Sequence, residues 1–220
     1  VANIARNKGI EVIGELFSSE LAKRIKKEYG QASVITGTNV FAHIDDLHDF
    51  FKATDILLKE DGIICVEAPN LVTLIENLEY DTIYHEHLSY LSLKPLRDFC
   101  KKVHMDIFNV EFHDIHGGSF RYFFGREKLR KITENIPKYI QLEEEKGIYT
   151  KSRLEKFALD VKNQKRELNS LLWNLKKEGK KIVGISAPAK GNALMNYCKI
   201  GPDLLDYVTE LNPLKIGKFS

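Results

Sequence analysis

Short apolar runs alternate with longer amphipathic stretches over the first two-thirds of the chain. The apolar runs predict strands at residues 10–14, 32–37, 63–67, 105–112 and 119–124. Apolar residues at helical spacing predict helices that begin at Ser18 or Ser19, at Asp45 or Asp46, and at Lys94. The first of these ends before Gly30, and residues 59–62 predict a turn. Strands that alternate with helices are typical of a mostly parallel sheet in the α/β class.

The pattern changes in the last part of this sheet. The connection between the strands at residues 105–112 and 119–124 is too short for a crossover, so we expect an antiparallel hairpin there. From residue 126 the chain is rich in charge, and an apolar stripe predicts a long helix through Leu154, Phe157, Val161, Leu168, Leu171 and Leu175. The pattern of residues 181–210 then predicts a strand, a helix and another strand, which together would form a second, small α/β unit.

Composition narrows the class of protein without identifying it. The 220 residues are 43% hydrophobic and 29% charged, and 33 basic side chains nearly balance 31 acidic ones. A net charge of +2 gives no reason to expect binding to nucleic acid or to a membrane surface. No apolar run is long enough to span a bilayer. The cysteines at positions 65, 100 and 198 are far apart, so we expect free thiols in a cytoplasmic protein.

The most unusual segment is Tyr-His-Glu-His at residues 84–87, in a loop that follows a buried strand. Ligands of open α/β sheets bind outside the carboxyl ends of the strands. An imidazole beside a carboxylate can accept a proton near neutral pH, which makes this loop a candidate for acid–base chemistry. Two alternatives stay open: an exposed polar loop without a role, or a zinc site that joins His85 and His87 with His43 or His116.

Other polar residues accompany predicted strand ends and turns. Asn39 and His43 directly follow the second predicted strand, and in one helical turn they would share a face. His116 begins a tight His-Gly-Gly turn. Lys190 and Asn192 lie where a strand leads into a helix, and the start of a helix suits an anion.

Four blocks together resemble one family. They are Asn-Val-Phe-Ala-His-Ile-Asp-Asp-Leu from residue 39, Glu-Tyr-Asp-Thr-Ile-Tyr-His-Glu-His-Leu-Ser-Tyr from residue 79, His-Gly-Gly-Ser-Phe-Arg from residue 116, and Ala-Pro-Ala-Lys-Gly-Asn-Ala-Leu-Met-Asn-Tyr-Cys from residue 187. This series is similar to the S-adenosylmethionine-dependent sugar C-methyltransferases, which branch deoxysugars at C-3 while these are attached to thymidine diphosphate. The second and fourth blocks are the specific ones, and the resemblance covers essentially the whole chain.

The resemblance implies a partial Rossmann-type methyltransferase domain at residues 1–125 and a C-terminal α/β domain at residues 126–220 that helps to hold the nucleotide-sugar. It also implies that the chain lacks the family's zinc-binding cysteine module, the first strand with the glycine-rich turn for S-adenosylmethionine, and the final C-terminal residues. We therefore expect these 220 residues alone to be inactive or weakly active, and to carry no metal.

The resemblance also implies roles for single residues. His87 is expected to remove the C-3 proton, so that the enolate attacks the sulfonium methyl group, and Glu86 is expected to orient His87. Tyr84 and His43 would line the pocket and stabilise the enolate oxygen.

The expected binding residues are Asn39 for the amino-acid part of the cofactor, and His116, Lys190 and Asn192 for the nucleotide-diphosphate sugar. The alternative is a nucleotide-binding or interaction module without catalysis, because a Rossmann-type fold by itself does not decide function. The sequence carries no signal on oligomeric state.

Overall fold

The structure is a computed structural model, and it describes residues 2–218. The helices are α1 (Ala2–Arg6), α2 (Ser19–Tyr29), α3 (Leu47–Leu57), α4 (Leu71–Glu76), α5 (Leu93–Lys102), α6 (Asn135–Glu145), α7 (Lys151–Lys177) and α8 (Ala189–Cys198). The strands are β1 (Ala32–Thr38), β2 (Leu58–Pro69), β3 (Met105–His113), β4 (Ser119–Arg126), β5 (Val183–Ile185) and β6 (Tyr207–Thr209). Two 3-10 turns, Phe41–His43 and Tyr80–Thr82, lie in the connections.

The α/β class is confirmed. A four-stranded sheet has the order β1-β2-β4-β3, and β1 pairs in parallel with β2. Glu127, just after β4, donates its N–H to His104 O just before β3 at 3.0 Å, which fits an antiparallel hairpin. The long helix is α7, and the second small unit consists of the parallel pair β5 and β6 with α8 between them in the chain.

Helix ends follow the predicted signals. Ser18 Oγ accepts the N–H of Leu21 at 3.2 Å and caps α2, and Gly30 ends that helix with φ of 85°. Asp46 caps α3 by accepting the N–H of Asp49 at 2.9 Å. These ends were predictable because a cap depends on residues within one helical turn.

Two local predictions are wrong. Residues 10–14 form no strand: Ile10 is 57% exposed, and Val12 O accepts from Nη2 of the Arg6 side chain at 2.9 Å. Residues 59–62 form no turn, because β2 begins directly after α3. The Arg126 guanidinium donates to the carbonyl oxygens of Leu58 at 3.2 Å and Glu60 at 3.0 Å. This long-range support lets the chain extend where its composition favours a turn.

An aromatic cluster anchors the chain after β1. The ring of Phe41 is fully buried, 5.4 Å from the ring of Phe50 and 6.0 Å from the ring of Phe124. The contact with Phe50 is edge-on, an arrangement that stabilises beyond simple burial. Because Phe41 begins the 3-10 turn that ends at His43, this cluster fixes the backbone that carries His43.

The contacts divide the chain into two compact units. The first contains the residues up to Ala68, Leu93–Phe112 and Phe120–Lys138, and the second contains Pro69–Ser92, His113–Ser119 and the residues from Tyr139 onwards. Each unit thus gathers segments that are distant in sequence. The predicted domain boundary between residues 125 and 126 stays a prediction.

Helix α7 supplies part of the core of the second unit. Phe157, Val161 and Leu168 of the predicted stripe pack with Tyr80 and Cys198. Two other stripe residues are exposed, Leu154 by 46% and Leu171 by 56%, so the stripe packs only in part. Burial of Tyr80 anchors the 3-10 turn Tyr80–Thr82.

The state of the cysteines and the character of the helices can be compared with the sequence predictions. The cysteines are free thiols, as predicted: Cys100 and Cys198 are buried and Cys65 is half-buried. Burial raises the pKa of the Cys65 and Cys100 thiols, so neither is activated. Across residues 2–218, no helix combines the length and the apolar character needed to cross a membrane.

Candidate active site

The loop of residues 84–87 holds His87 through one ring nitrogen. The backbone N–H of His87 donates to Tyr84 O at 3.0 Å, which closes the loop into a tight turn. Nδ1 of His87 lies 2.9 Å from the backbone oxygen of Thr82 and 3.1 Å from the Oγ1 of Thr82. Thr82 ends the 3-10 turn and is only 2% exposed. The half-buried imidazole is therefore held by hydrogen bonds to a buried residue.

Two tyrosines lie beside the same imidazole. The ring centroid of Tyr84 is 4.6 Å from that of His87, and the ring centroid of Tyr90 is 6.4 Å away. Burial raises the pKa of Tyr84, and the Glu86 carboxylate raises it further. Burial also raises the pKa of Tyr90. Both phenols therefore stay protonated at neutral pH and can donate a hydrogen bond.

The side chains of His85 and Glu86 are exposed. Nδ1 of His87 contacts Thr82, a residue that the sequence analysis did not single out. A threonine five positions before a histidine is no recognised motif, so only its place in the specific second block could have drawn attention to it. The orienting role of Glu86 stays a prediction.

Asn39 and His43 lie at the carboxyl ends of the parallel strands. Thr38, the last residue of β1, is the register partner of Glu67, and the N–H of Asn39 donates to Glu67 O at 2.9 Å. Residues 39–43 do not form the helical turn that would place Asn39 and His43 on one face. Asn39 has φ of 54°, outside the helical region, and the 3-10 turn begins only at Phe41.

An ion pair with a buried carboxylate occupies the same strand ends. Arg121 Nη2 donates to Glu67 Oε2 at 2.8 Å, and the Glu67 side chain is 7% exposed. The hydrogen bond from Arg121 stabilises the charged form of the guanidinium and raises the pKa of Arg121. A buried carboxylate without such a partner would be costly. Sequence analysis missed Glu67, although an acidic residue near the end of an apolar strand was a usable signal.

The His-Gly-Gly turn is held through its backbone. φ is 54° at His116 and 125° at Gly118. Gly118 O accepts hydrogen bonds from the backbone N–H and the Nδ2 of Asn70, and from the Oγ1 of Thr73, each at 3.2 Å. His116 itself is exposed. These contacts fix where the turn presents His116.

Helix α8 carries Lys190 and Asn192 in its first turn. The N–H of Asn192 donates to the O of Pro188, the N-cap residue, at 3.2 Å. The Oδ1 of Asn192 is buried and has no hydrogen-bond partner among residues 2–218. Asn192 also lines a cavity of about 630 Å³, together with Tyr207 and Lys215. A polar atom left without a partner beside a cavity is suited to a ligand donor.

The zinc alternative has no ligand set in the described part of the chain. Nowhere within residues 2–218 do three His, Cys, Asp or Glu side chains come close enough together to hold a metal ion. His85 and His87 are neighbours in the loop, but a structural zinc site needs four ligands and a catalytic one three.

Two family profiles match almost the whole chain. One is described as "Methyltransferase domain" and matches residues 2–107, and the other is described as "C-methyltransferase C-terminal domain" and matches residues 114–220. C-methyltransferase NovU of Streptomyces niveus is 31% identical over 219 residues, which are 99% of this chain and 52% of that protein. The chain is thus similar to a methyltransferase domain followed by a C-methyltransferase C-terminal domain. It spans about half the length of this curated relative.

Similarity to solved structures is more distant. A SAM-dependent methyltransferase from Anabaena variabilis ATCC 29413 has a TM-score of 0.43 and 14% sequence identity, over 57% of this chain and 63% of that chain.

Within this chain, the predicted catalytic residues fall in two places. Tyr84, Glu86 and His87 share one loop of the second compact unit, whereas His43 lies in the first unit with Asn39. The predicted substrate-binding residues His116, Lys190 and Asn192 all belong to the second unit, on the turn before β4 and on α8.

Proposed function

We propose that the full-length protein methylates a carbon atom of a nucleotide-activated keto-deoxysugar with S-adenosylmethionine as the methyl donor. The match of residues 114–220 to the C-methyltransferase C-terminal domain, and the similarity to C-methyltransferase NovU, support the reaction class. The four sequence blocks that resemble sugar C-methyltransferases support the substrate class. The observation that carries the proposal is the half-buried His87 imidazole, held at Nδ1 by Thr82.

Methylation at this carbon requires a base, because the carbon has no electron pair for attack until its C–H proton is removed, whereas an oxygen or nitrogen atom already carries a lone pair. The hydrogen at C-3 of a 4-keto sugar is acidic because the carbanion is delocalised onto the carbonyl oxygen. An imidazole has an unperturbed pKa of about 6.5 and can take up this proton at working pH. His87 is the base in this proposal, and its attachment to a buried residue limits the positions that its ring can take.

The developing enolate oxygen needs hydrogen-bond donors. The Tyr84 phenol is protonated at neutral pH and its ring lies 4.6 Å from that of His87, so it suits this role. We propose Glu86 as an electrostatic partner that favours the protonated form of His87. The expected role of His43, which belongs to the first unit, stays a prediction.

The residues at the strand ends fit the cofactor. Asn39 offers an amide, Thr38 a hydroxyl and Glu67 a buried carboxylate where two parallel strands end side by side, and polar groups at this edge suit the amino-acid part of S-adenosylmethionine. When bound, that cofactor supplies a methyl group on a positively charged sulfur. Asn39, held by its N–H bond to Glu67 O, is the proposed contact.

We propose that the nucleotide-sugar binds to residues of the second unit. The backbone N–H groups at the start of α8 and the Lys190 charge suit a diphosphate. Asn192 offers an unsatisfied Oδ1 beside a cavity, which suits a ribose or sugar hydroxyl donor. His116, on its fixed turn, is a third proposed substrate contact.

His87→Gln in the full-length protein tests the proposal. Glutamine can form hydrogen bonds in this place but cannot act as a base, so turnover of a thymidine-diphosphate-linked 4-keto-deoxysugar should fall about 10³-fold. Nucleotide-sugar affinity, measured by calorimetry, should stay the same. Exchange of the C-3 hydrogen in D₂O should be lost together with turnover.

His85→Gln is the matched control, because it changes an exposed histidine two positions away. Its turnover should equal that of the wild type. If His87→Gln retains near-normal turnover, another residue is the base. If the wild type binds the nucleotide-sugar but transfers no methyl group to it, the chain serves as a binding module without this activity.

A further inference from the structure

Thr82 presents two oxygen atoms to one nitrogen of the His87 ring. The backbone O lies 2.9 Å from Nδ1, and the side-chain Oγ1 lies 3.1 Å from it. A carbonyl oxygen can only accept a hydrogen bond. Nδ1 must therefore carry the proton in this contact, and in the neutral ring the lone pair then lies on Nε2.

We infer that Thr82 is a positioning residue that keeps His87 in its Nδ1–H tautomer, so that Nε2 is the atom that takes the substrate proton. The inference rests on the proposed function, in which His87 is the base. Thr82 touches no reacting atom and acts through His87. The arrangement is the one that a general-base histidine requires, because the tautomer decides which nitrogen can accept a proton.

Thr82 is suited to this role because its own position is fixed. The N–H of Thr82 donates to Glu79 O at 3.2 Å, and the N–H of Ile83 donates to Tyr80 O at 3.0 Å. Tyr80 is buried in the core of the second unit, and its hydroxyl lies 3.5 Å from Cys198 Sγ. The oxygens that hold the imidazole therefore belong to a turn anchored in the core.

The carbonyl oxygen and the hydroxyl oxygen of Thr82 have different roles. The carbonyl oxygen selects the tautomer, and no substitution of the side chain removes it. The hydroxyl is a second acceptor for the Nδ1 proton, and its bond strengthens when His87 becomes an imidazolium during proton transfer. Loss of the hydroxyl should therefore slow the proton transfer while substrate binding is unaffected.

Thr82→Val in the full-length enzyme tests the hydroxyl, because valine keeps the β-branched shape. With a thymidine-diphosphate-linked 4-keto-deoxysugar and S-adenosylmethionine, kcat should fall about tenfold, with KM unchanged. Thr82→Ser restores the hydroxyl and should recover most of the lost kcat. Unchanged kcat in Thr82→Val, or no recovery in Thr82→Ser, would overturn the role of the hydroxyl.

The tautomer of His87 can be measured by NMR, without an activity assay. In full-length wild-type protein labelled with ¹⁵N-histidine, the ring signals of His87 above its pKa should show a protonated Nδ1 and an unprotonated Nε2. A protonated Nε2 would overturn the inference. His87→Gln in the same activity assay separates the failure of the proposed function from that of the inference. If His87→Gln is inactive while Thr82→Val has normal kcat, the base role stands and the role of the Thr82 hydroxyl is overturned.

Discussion

Two histidines of the second unit are held in opposite ways. His87 is held by its ring, through Thr82 five positions away and Tyr84 three positions away. His116 is held by its backbone, because the turn that follows it is bonded to Asn70, which is 48 positions from Gly118. The His87 ring is half-buried, whereas His116 is exposed.

The difference separates two functions that a histidine can serve. A base must have a defined tautomer and ring position, which requires hydrogen bonds to the ring itself. A residue that only contacts the substrate needs a fixed backbone position, because its side chain can change rotamer when the ligand binds. By this comparison, damage to the turn at residues 116–118 should change stability and substrate affinity, and should leave the His87 tautomer as it is.

Gly118→Ala should have the largest effect. Gly118 has φ of 125°, and an added Cβ would lie 2.7 Å from Thr73 Cγ2. Backbone strain and the clash together should lower the free energy of unfolding by about 4 kcal/mol in urea denaturation. The ¹⁵N ring signals of His87 should still show the wild-type tautomer in the folded variant.

The matched control is Gly30→Ala. Gly30 also has positive φ, 85°, but an added Cβ would meet nothing within 4 Å. This variant should lose only about 1 kcal/mol, because strain acts without a clash. Equal losses in the two variants would contradict the view that contacts with α4 fix the turn.

Asn70→Ala should have an intermediate effect. Its Oδ1 caps α4 by accepting the N–H of Thr73 at 3.1 Å, and its Nδ2 donates to Gly118 O. Alanine loses both bonds, which should cost about 2 kcal/mol of unfolding free energy. Asn70→Ser keeps a capping oxygen but cannot replace the amide, so it should lose about 1 kcal/mol. If serine restores full stability, the bond to Gly118 contributes nothing.

Glu86→Gln should have the smallest effect, on the loop that holds His87. Ionisation of Tyr84 creates a negative charge, which burial and the nearby carboxylate both oppose, so its folded-state pKa is raised. Removal of the Glu86 charge should lower the Tyr84 pKa towards its usual value in an ultraviolet titration. Asp81→Asn is the control, because the Asp81 charge acts on the pKa of Tyr80 instead. A Tyr84 pKa that responds to Asp81→Asn and not to Glu86→Gln would contradict this account.

Predictions from the sequence succeeded where the cause was local. The caps at Ser18 and Asp46 were identifiable because a capping side chain bonds a backbone N–H three residues later. The predicted turn at residues 59–62 was wrong because Arg126, more than 60 positions away, supplies hydrogen bonds to that backbone. In the candidate site, Glu86 drew attention because it is adjacent to His87 in sequence, and its orienting role stays a prediction.

The sequence by itself determined the α/β class, most helix ends and the blocks that resemble C-methyltransferases, because periodicity, caps and motifs are properties of neighbouring residues. Only the tertiary structure decided which polar groups meet. Thr82 at the His87 ring, Arg121 at the buried Glu67, and Asn70 at Gly118 all depend on how the chain turns back on itself. A hydrogen bond needs its two atoms about 3 Å apart, and no distance in sequence predicts that.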